Sequence, residues 1–146
     1  IKIMDDTILK MMKLKAKGFC CSQIMATLAL EVQGKDNPDL VKAMGGLCFG
    51  SYAGDICGAL SAGTCIISLY AGKGEGDNDG QYLEMIFELV EWFKQTADKE
   101  YGGIRCDDIL EKFPDRSICS LIVTDTYNKC MDILSNHGFN PTNMKE

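Results

Sequence analysis

The stretch Gly54–Gly72, GDICGALSAGTCIISLYAG, decides how the chain folds. From Ile56 to Tyr70 it is apolar on almost every side, relieved only by Ser61, Thr64 and Ser68. A helix of that kind belongs at the centre of a structure, because it offers no face to water. Residues four apart stack on one helix face. Gly50, Gly54, Gly58 and Ala62 therefore form a file of small residues if the helix starts early enough, with Cys57, Ser61, Thr64 and Ser68 beside it. The expectation is a glycine-rich central helix with a neighbour packed close against it. Cys57 would be held rigidly there and shielded from water. Taken alone, this thiol reads first as compact core filler, since free cysteine is among the most buried residue types.

The flanking segments also read as helices. Asp5 or Asp6 caps a first helix over Thr7 to about Lys17, and Gly18 stops it. A second runs from about Cys21 to Gln33, with Ile24, Met25, Leu28 and Val32 on its apolar face. Asn37 and Pro38 form the N-cap and first position of a third. Tyr82, Met85, Ile86, Leu89, Val90 and Phe93 mark the plainest amphipathic helix, after the loop AGKGEGDNDGQ. A short helix covers about Asp107 to Lys112, and a last one about Asp115 to Asn136. SLIVTDTY is rich in β-branched residues but keeps helical spacing through Ile122, Val123, Thr126, Cys130 and Ile133. The predicted fold is all-α: a single-domain bundle over residues 1–146, of about five to seven helices around the glycine-rich one.

The chain carries 21 acidic against 15 basic residues, a net charge of -6. That balance argues against a nucleic-acid partner and against docking on anionic membranes. The apolar run is shorter than a bilayer span, so no membrane insertion is expected. The first segment is charged throughout, without the apolar core or cleavage site of a signal peptide, and the expected location is the cytoplasm.

Eight cysteines stand at 20, 21, 48, 57, 65, 106, 119 and 130. In a reducing compartment such a count points to metal binding, redox chemistry or buried packing rather than a disulfide framework. Cys21 lies on the apolar face of its helix, Cys130 on that of the last helix, and Cys57 on the central one. Cys106 begins the short helix, where free backbone N–H groups favour a thiolate, opposed by Asp107 and Asp108. Four elements can thus face one interior. Cys65 lies two turns beyond Cys57, roughly 12 Å along the axis, and Cys119 lies roughly 16 Å before Cys130. Cys48, Cys65 and Cys119 are accordingly expected to be packing residues. Cys20, beside Cys21, is a candidate resolving or exchange thiol. No Cys-x-x-Cys occurs anywhere in the chain.

These residues resemble the C-GCAxxG-C-C family of redox-active proteins. FCCSQIMATLALE resembles its first cysteine segment through Cys21, and MGGLCFGSYAGDICGALSAG its glycine-rich motif through Cys57, Gly58 and Ala59. YGGIRCDDIL resembles the third segment through Cys106, and YNKCMDIL the fourth through Cys130. The similarity spans about residues 17 to 134, with Ala62 where the motif has its last glycine. The resemblance implies redox activity without an assigned substrate. It also implies kinship with a four-cysteine domain of larger multihaem electron-transfer proteins, where that domain is associated with an iron–sulfur centre. Covalent haem is excluded here, for want of Cys-x-x-Cys-His.

Four readings follow. The favoured one is electron transfer through a [2Fe–2S] cluster held by Cys21, Cys57, Cys106 and Cys130. The second is metal-free dithiol/disulfide exchange among the same thiols, which needs an accessible low-pKa attacking thiol. The third is a structural zinc site with four cysteine ligands, and the fourth is core filler in an interaction module. Each fits a redox or accessory protein better than a substrate-turnover enzyme. The expected partner is a redox partner protein, and eight methionines with a thin central helix suit a homodimer. His137 reads as a helix-end residue, Arg105 as a neighbour of the Cys106 thiol, and Glu84, Glu88 and Glu91 as a solvated helix side.

Overall fold

The structure, a computed structural model, describes residues 2–72, 74–75 and 80–141. Seven α-helices form among them: α1 (Lys2–Ala16), α2 (Cys21–Val32), α3 (Pro38–Met44), α4 (Gly58–Ala71), α5 (Gln81–Thr96), α6 (Cys106–Lys112) and α7 (Cys119–Asn136). The fold is all-α, as expected, and no described helix is long and apolar enough to cross a membrane. The loop predicted ahead of α5 falls partly outside the described residues.

Local chemistry places most boundaries. Asn37 Oδ1 accepts the Leu40 N–H at 3.1 Å, and Pro38 opens α3. Gly18, Gly34 and Gly138 take positive φ just beyond α1, α2 and α7, the usual glycine stop. α4 is the hub, packing against α2, α5 and α7. Ala59, Leu60, Ala62, Ile66, Ile67 and Tyr70 are its buried side chains, and they meet Met25, Leu28, Met85, Leu89, Phe93 and Ile133 in one core.

Three boundaries differ from the sequence-based reading. α1 begins at Lys2, ahead of Asp5 and Asp6. α4 begins only at Gly58, so the file from Gly50 to Ala62 does not exist. Instead Phe49, Gly50, Ser51 and Tyr52 all sit in the left-handed region, at φ of 55°, 62°, 59° and 59°. Gly54 follows at φ 70°, where an added Cβ would run into the Asp107 carboxylate. The glycines thus serve a tight wrap of backbone at the head of α4 rather than a helix face. The file that does work is inside α4: a Cβ on Gly63 would lie 2.8 Å from Leu89 and 3.1 Å from the Cys130 sulfur, so its absence sets the approach of α5 and α7.

The third difference is at α7, which starts at Cys119 rather than Asp115. The Asp115 carboxylate accepts the Ser117 N–H at 3.0 Å, and Arg116 sits at φ 62°. That turn cannot be continued by a right-handed helix. Nor is α4 apolar to solvent all round: Cys65 and Leu69 are exposed on its outer side. Cys65 is therefore not the packing residue expected.

Candidate functional site

Four thiols stand where helices begin. Cys21, Cys106 and Cys119 are the first residues of α2, α6 and α7, and Cys57 is the N-cap of α4. All four line one small cavity of about 30 Å³, walled otherwise by Cys20, Phe49, Gly58, Ile109, Leu110, Arg116 and Ile122. Room for a water or two is all this allows. The unpaired N–H groups of a helix's first turn and the helix dipole both favour negative charge. Converging helix starts are thus a framework for holding sulfur as thiolate.

Backbone pairing sets two of the thiols side by side. Ile56 and Arg105 form an isolated antiparallel bridge, with the Cys57 N–H donating to Ile104 O at 2.9 Å and the Cys106 N–H to Asp55 O at 2.7 Å. Arg105, expected near the Cys106 thiol, instead pairs with Asp55, Asp107 and Asp108 at 3.5 to 3.9 Å, in solvent.

The thiols differ sharply in acidity. A hydrogen bond from the Cys21 thiol, with the charges of Arg116 and Lys15 and a hydrogen bond from Arg116, outweighs burial and holds Cys119 down to about 6. Cys21, donating to Cys119 and buried, is pushed well up. Burial takes Cys57 up to about 11, although the N–H groups of Ala59 and Leu60 pull the other way. Burial also raises Cys106, helped by the charges at Cys119 and Asp107. The proton of the Cys21–Cys119 pair therefore rests on Cys21 and the charge on Cys119. Arg116 is fixed for this task, its guanidinium stacked 4.3 Å from the Phe49 ring centre. A wider groove of about 310 Å³, lined by Lys15, Phe19, Cys20, Cys21, Arg116, Cys119 and Ser120, leads from solvent to the same two sulfurs.

Of the four residues singled out in the sequence, Cys21, Cys57 and Cys106 come together here. Cys130 faces the interior but does not line this cavity. It lies fully buried in the middle of α7, its thiol donating to Gly63 O at 3.6 Å, and burial alone pushes it up to about 12. Its position beside the others is taken by Cys119, roughly 16 Å away along the helix. Among the described residues, no group of three or more histidine, cysteine, aspartate or glutamate side chains is arranged to hold a metal ion. Cys48 was also misread, since its sulfur lies within disulfide-bonding distance of Cys20, with Cα atoms 6.1 Å apart. His137 caps α7 as expected and pairs with Glu88 at 3.1 Å.

Comparison with curated proteins and with solved structures gives no match. A family model described as "Putative redox-active protein (C_GCAxxG_C_C)" matches residues 19–133, a span that holds the whole cavity. The chain belongs to that family of redox-active proteins.

Proposed function

We propose that the cavity is a dithiol centre in which Cys119 is the attacking thiolate and Cys21 the resolving thiol. The observation that carries this is that Cys21 and Cys119, each the first residue of its helix, line both the small cavity and the groove beside Arg116, with Lys15 lining the groove as well. Cys119, held down to about 6, is the low-pKa nucleophile that exchange chemistry needs, and it is half-buried and reachable through the groove. In the oxidative direction, Cys119 attacks one sulfur of a partner's disulfide and displaces the other as thiolate. Cys21 then gives up its proton and attacks the Cys119 sulfur, releasing the partner's second thiolate. A Cys21–Cys119 disulfide forms, and two electrons pass to the partner. We assign the partner as a redox protein that reaches Cys119 from the groove, with the reaction located in the cytoplasm.

Peptide mapping after mild oxidation tests this. In Cys20→Ser a cross-link is expected between the tryptic peptides 18–35 and 117–129, which then hold only Cys21 and Cys119. Its absence, with Cys119 alkylating no faster near pH 7 than Cys65, would sink the reading.

A second reading draws on the convergence of four thiols from four helix starts. Cys21, Cys57, Cys106 and Cys119 are the donor set for a [2Fe–2S] cluster, which when bound supplies one-electron transfer, or for zinc. As they stand the sulfurs are not at ligating separations, so binding would require them to close in. An anaerobic visible spectrum before and after dithionite, with metal analysis, separates cluster, zinc and free thiols.

A further inference from the structure

The Cys20–Cys48 pair lies against this site and is absent from the reaction described above. Its two sulfurs differ in access. Cys48 is 1% exposed, while Cys20 lines both the thiol cavity and the groove that carry Cys21 and Cys119. Their surroundings suit thiols as well as a disulfide. Ser22, fully buried, donates its hydroxyl proton to Met44 O at 2.6 Å, which leaves its oxygen free to accept. That oxygen lies 3.1 Å from the Cys48 sulfur and 3.6 Å from the Cys20 sulfur. Gln23 Oε1 lies 3.6 Å from the Cys20 sulfur. A disulfide has no proton to give these oxygens, whereas a reduced pair has one for each. Both oxidation states are therefore provided for.

Backbone conformation separates the vicinal cysteines. Cys20 is extended, at φ -93° and ψ 177°, and turns its sulfur to Cys48, while Cys21 opens α2 and faces Cys119.

We propose that Cys20–Cys48 is a second redox couple that trades its disulfide with the Cys21–Cys119 dithiol inside the chain. The Cys119 thiolate attacks the accessible Cys20 sulfur, the Cys20–Cys48 bond breaks, and Cys48 leaves to take up a proton beside Ser22. Cys21 then loses a proton and attacks the Cys119 sulfur, and Cys20 leaves as the second thiol. One disulfide is broken and one made, so no outside oxidant is consumed; Cys21 releases one proton, Cys48 and Cys20 take up two, and water supplies the second. The route runs equally in reverse, carrying a disulfide from the groove to the buried Cys48.

The proposal rests on the dithiol reading, and trapping separates the two. In Cys21→Ser the second step is blocked. Protein purified with Cys20–Cys48 intact, freed of oxidant and held at pH 8, is followed by peptide mapping. The 18–35 peptide is linked at first to 43–73, which holds Cys48, and is expected to shift to 117–129, which holds Cys119. Cys21→Ala should shift likewise, and Cys21→Ser with Cys119→Ser should not shift at all. An unchanged 18–35/43–73 link, or no link from 18–35 under air oxidation, overturns the relay. If oxidised Cys20→Ser still forms 18–35/117–129, only the relay has failed. If it does not, the dithiol reading has failed too.

Discussion

Cys119 and Cys130 are the same side chain on the same helix, and the structure makes them chemical opposites. Cys119 opens α7, where Cys21, Arg116 and Lys15 favour its charged form and hold it down to about 6. Cys130, three turns on, has apolar neighbours and one backbone carbonyl, and sits at about 12. The difference lies in position along the helix. At the first turn unpaired N–H groups and solvent-borne cations can reach a sulfur, whereas mid-helix those N–H groups are spent on the backbone ladder. The cavity extends this contrast to the whole molecule: thiols at helix starts are gathered, and the mid-helix thiols Cys65 and Cys130 are left out.

The widest gap should appear on deletion. Cys119→Ser is expected to abolish both the 18–35/117–129 cross-link and the alkylation phase that titrates near 6, while Cys130→Ser leaves both intact. At pH 7 a thiol at 6 is about ninetyfold richer in thiolate than one at 9, but its lower intrinsic nucleophilicity returns most of that. A rate gain of only about fourfold should remain, so the pH midpoint is the sharper reading. Equal losses in the two variants would erase the contrast.

Packing should show the reverse pattern. Gly63→Ala places a methyl against Leu89 and the Cys130 sulfur, and should cost about 1–3 kcal/mol. For a chain of this size that is a fall in Tm of roughly 2–4 °C per kcal/mol. The Cys119 midpoint should not move, and if it does, the two ends of α7 are mechanically coupled.

Arg116→Gln should move the Cys119 midpoint upward with little change in Tm, because the guanidinium lies partly in solvent and acts mainly through charge. High salt should mimic part of the shift in wild type. An unmoved midpoint would leave Cys21 and Lys15 as the causes.

The smallest effect is on stability against pH. Cys119 is depressed in the folded state, so its stabilisation is present above the unfolded thiol range near 9 and fades as pH falls through about 6. Cys130 is raised, so its stabilisation holds below that range and is lost as pH climbs through about 12. Thermal melts of Cys119→Ser and Cys130→Ser across pH should therefore diverge from wild type at opposite ends.

Much of this was legible in the chain itself. Apolar spacing and glycine stops gave away the helices, and the amphipathic stripe Met85, Leu89, Phe93 is buried as its period requires. Cys21 and Cys106 could be placed because a helix start follows a local signal. Cys119 was missed because it lies roughly 16 Å from Cys130 along one helix, and carrying that helix back to Asp115 hid its place at a helix start. Cys57 was read into mid-helix for a similar reason, since a file of glycines fits a helix face and a left-handed wrap equally well.

By itself, then, the sequence determined an all-α chain, a central small-residue helix and family membership, because periodicity and motif are properties of neighbours along the chain. Which thiols meet was decided only in three dimensions. The Ile56–Arg105 bridge, the Arg116 turn and the Cys20–Cys48 approach join residues 28 to 49 positions apart or hinge on one backbone angle. No local pattern encodes such meetings. They follow from how α2, α6 and α7 close around the head of α4.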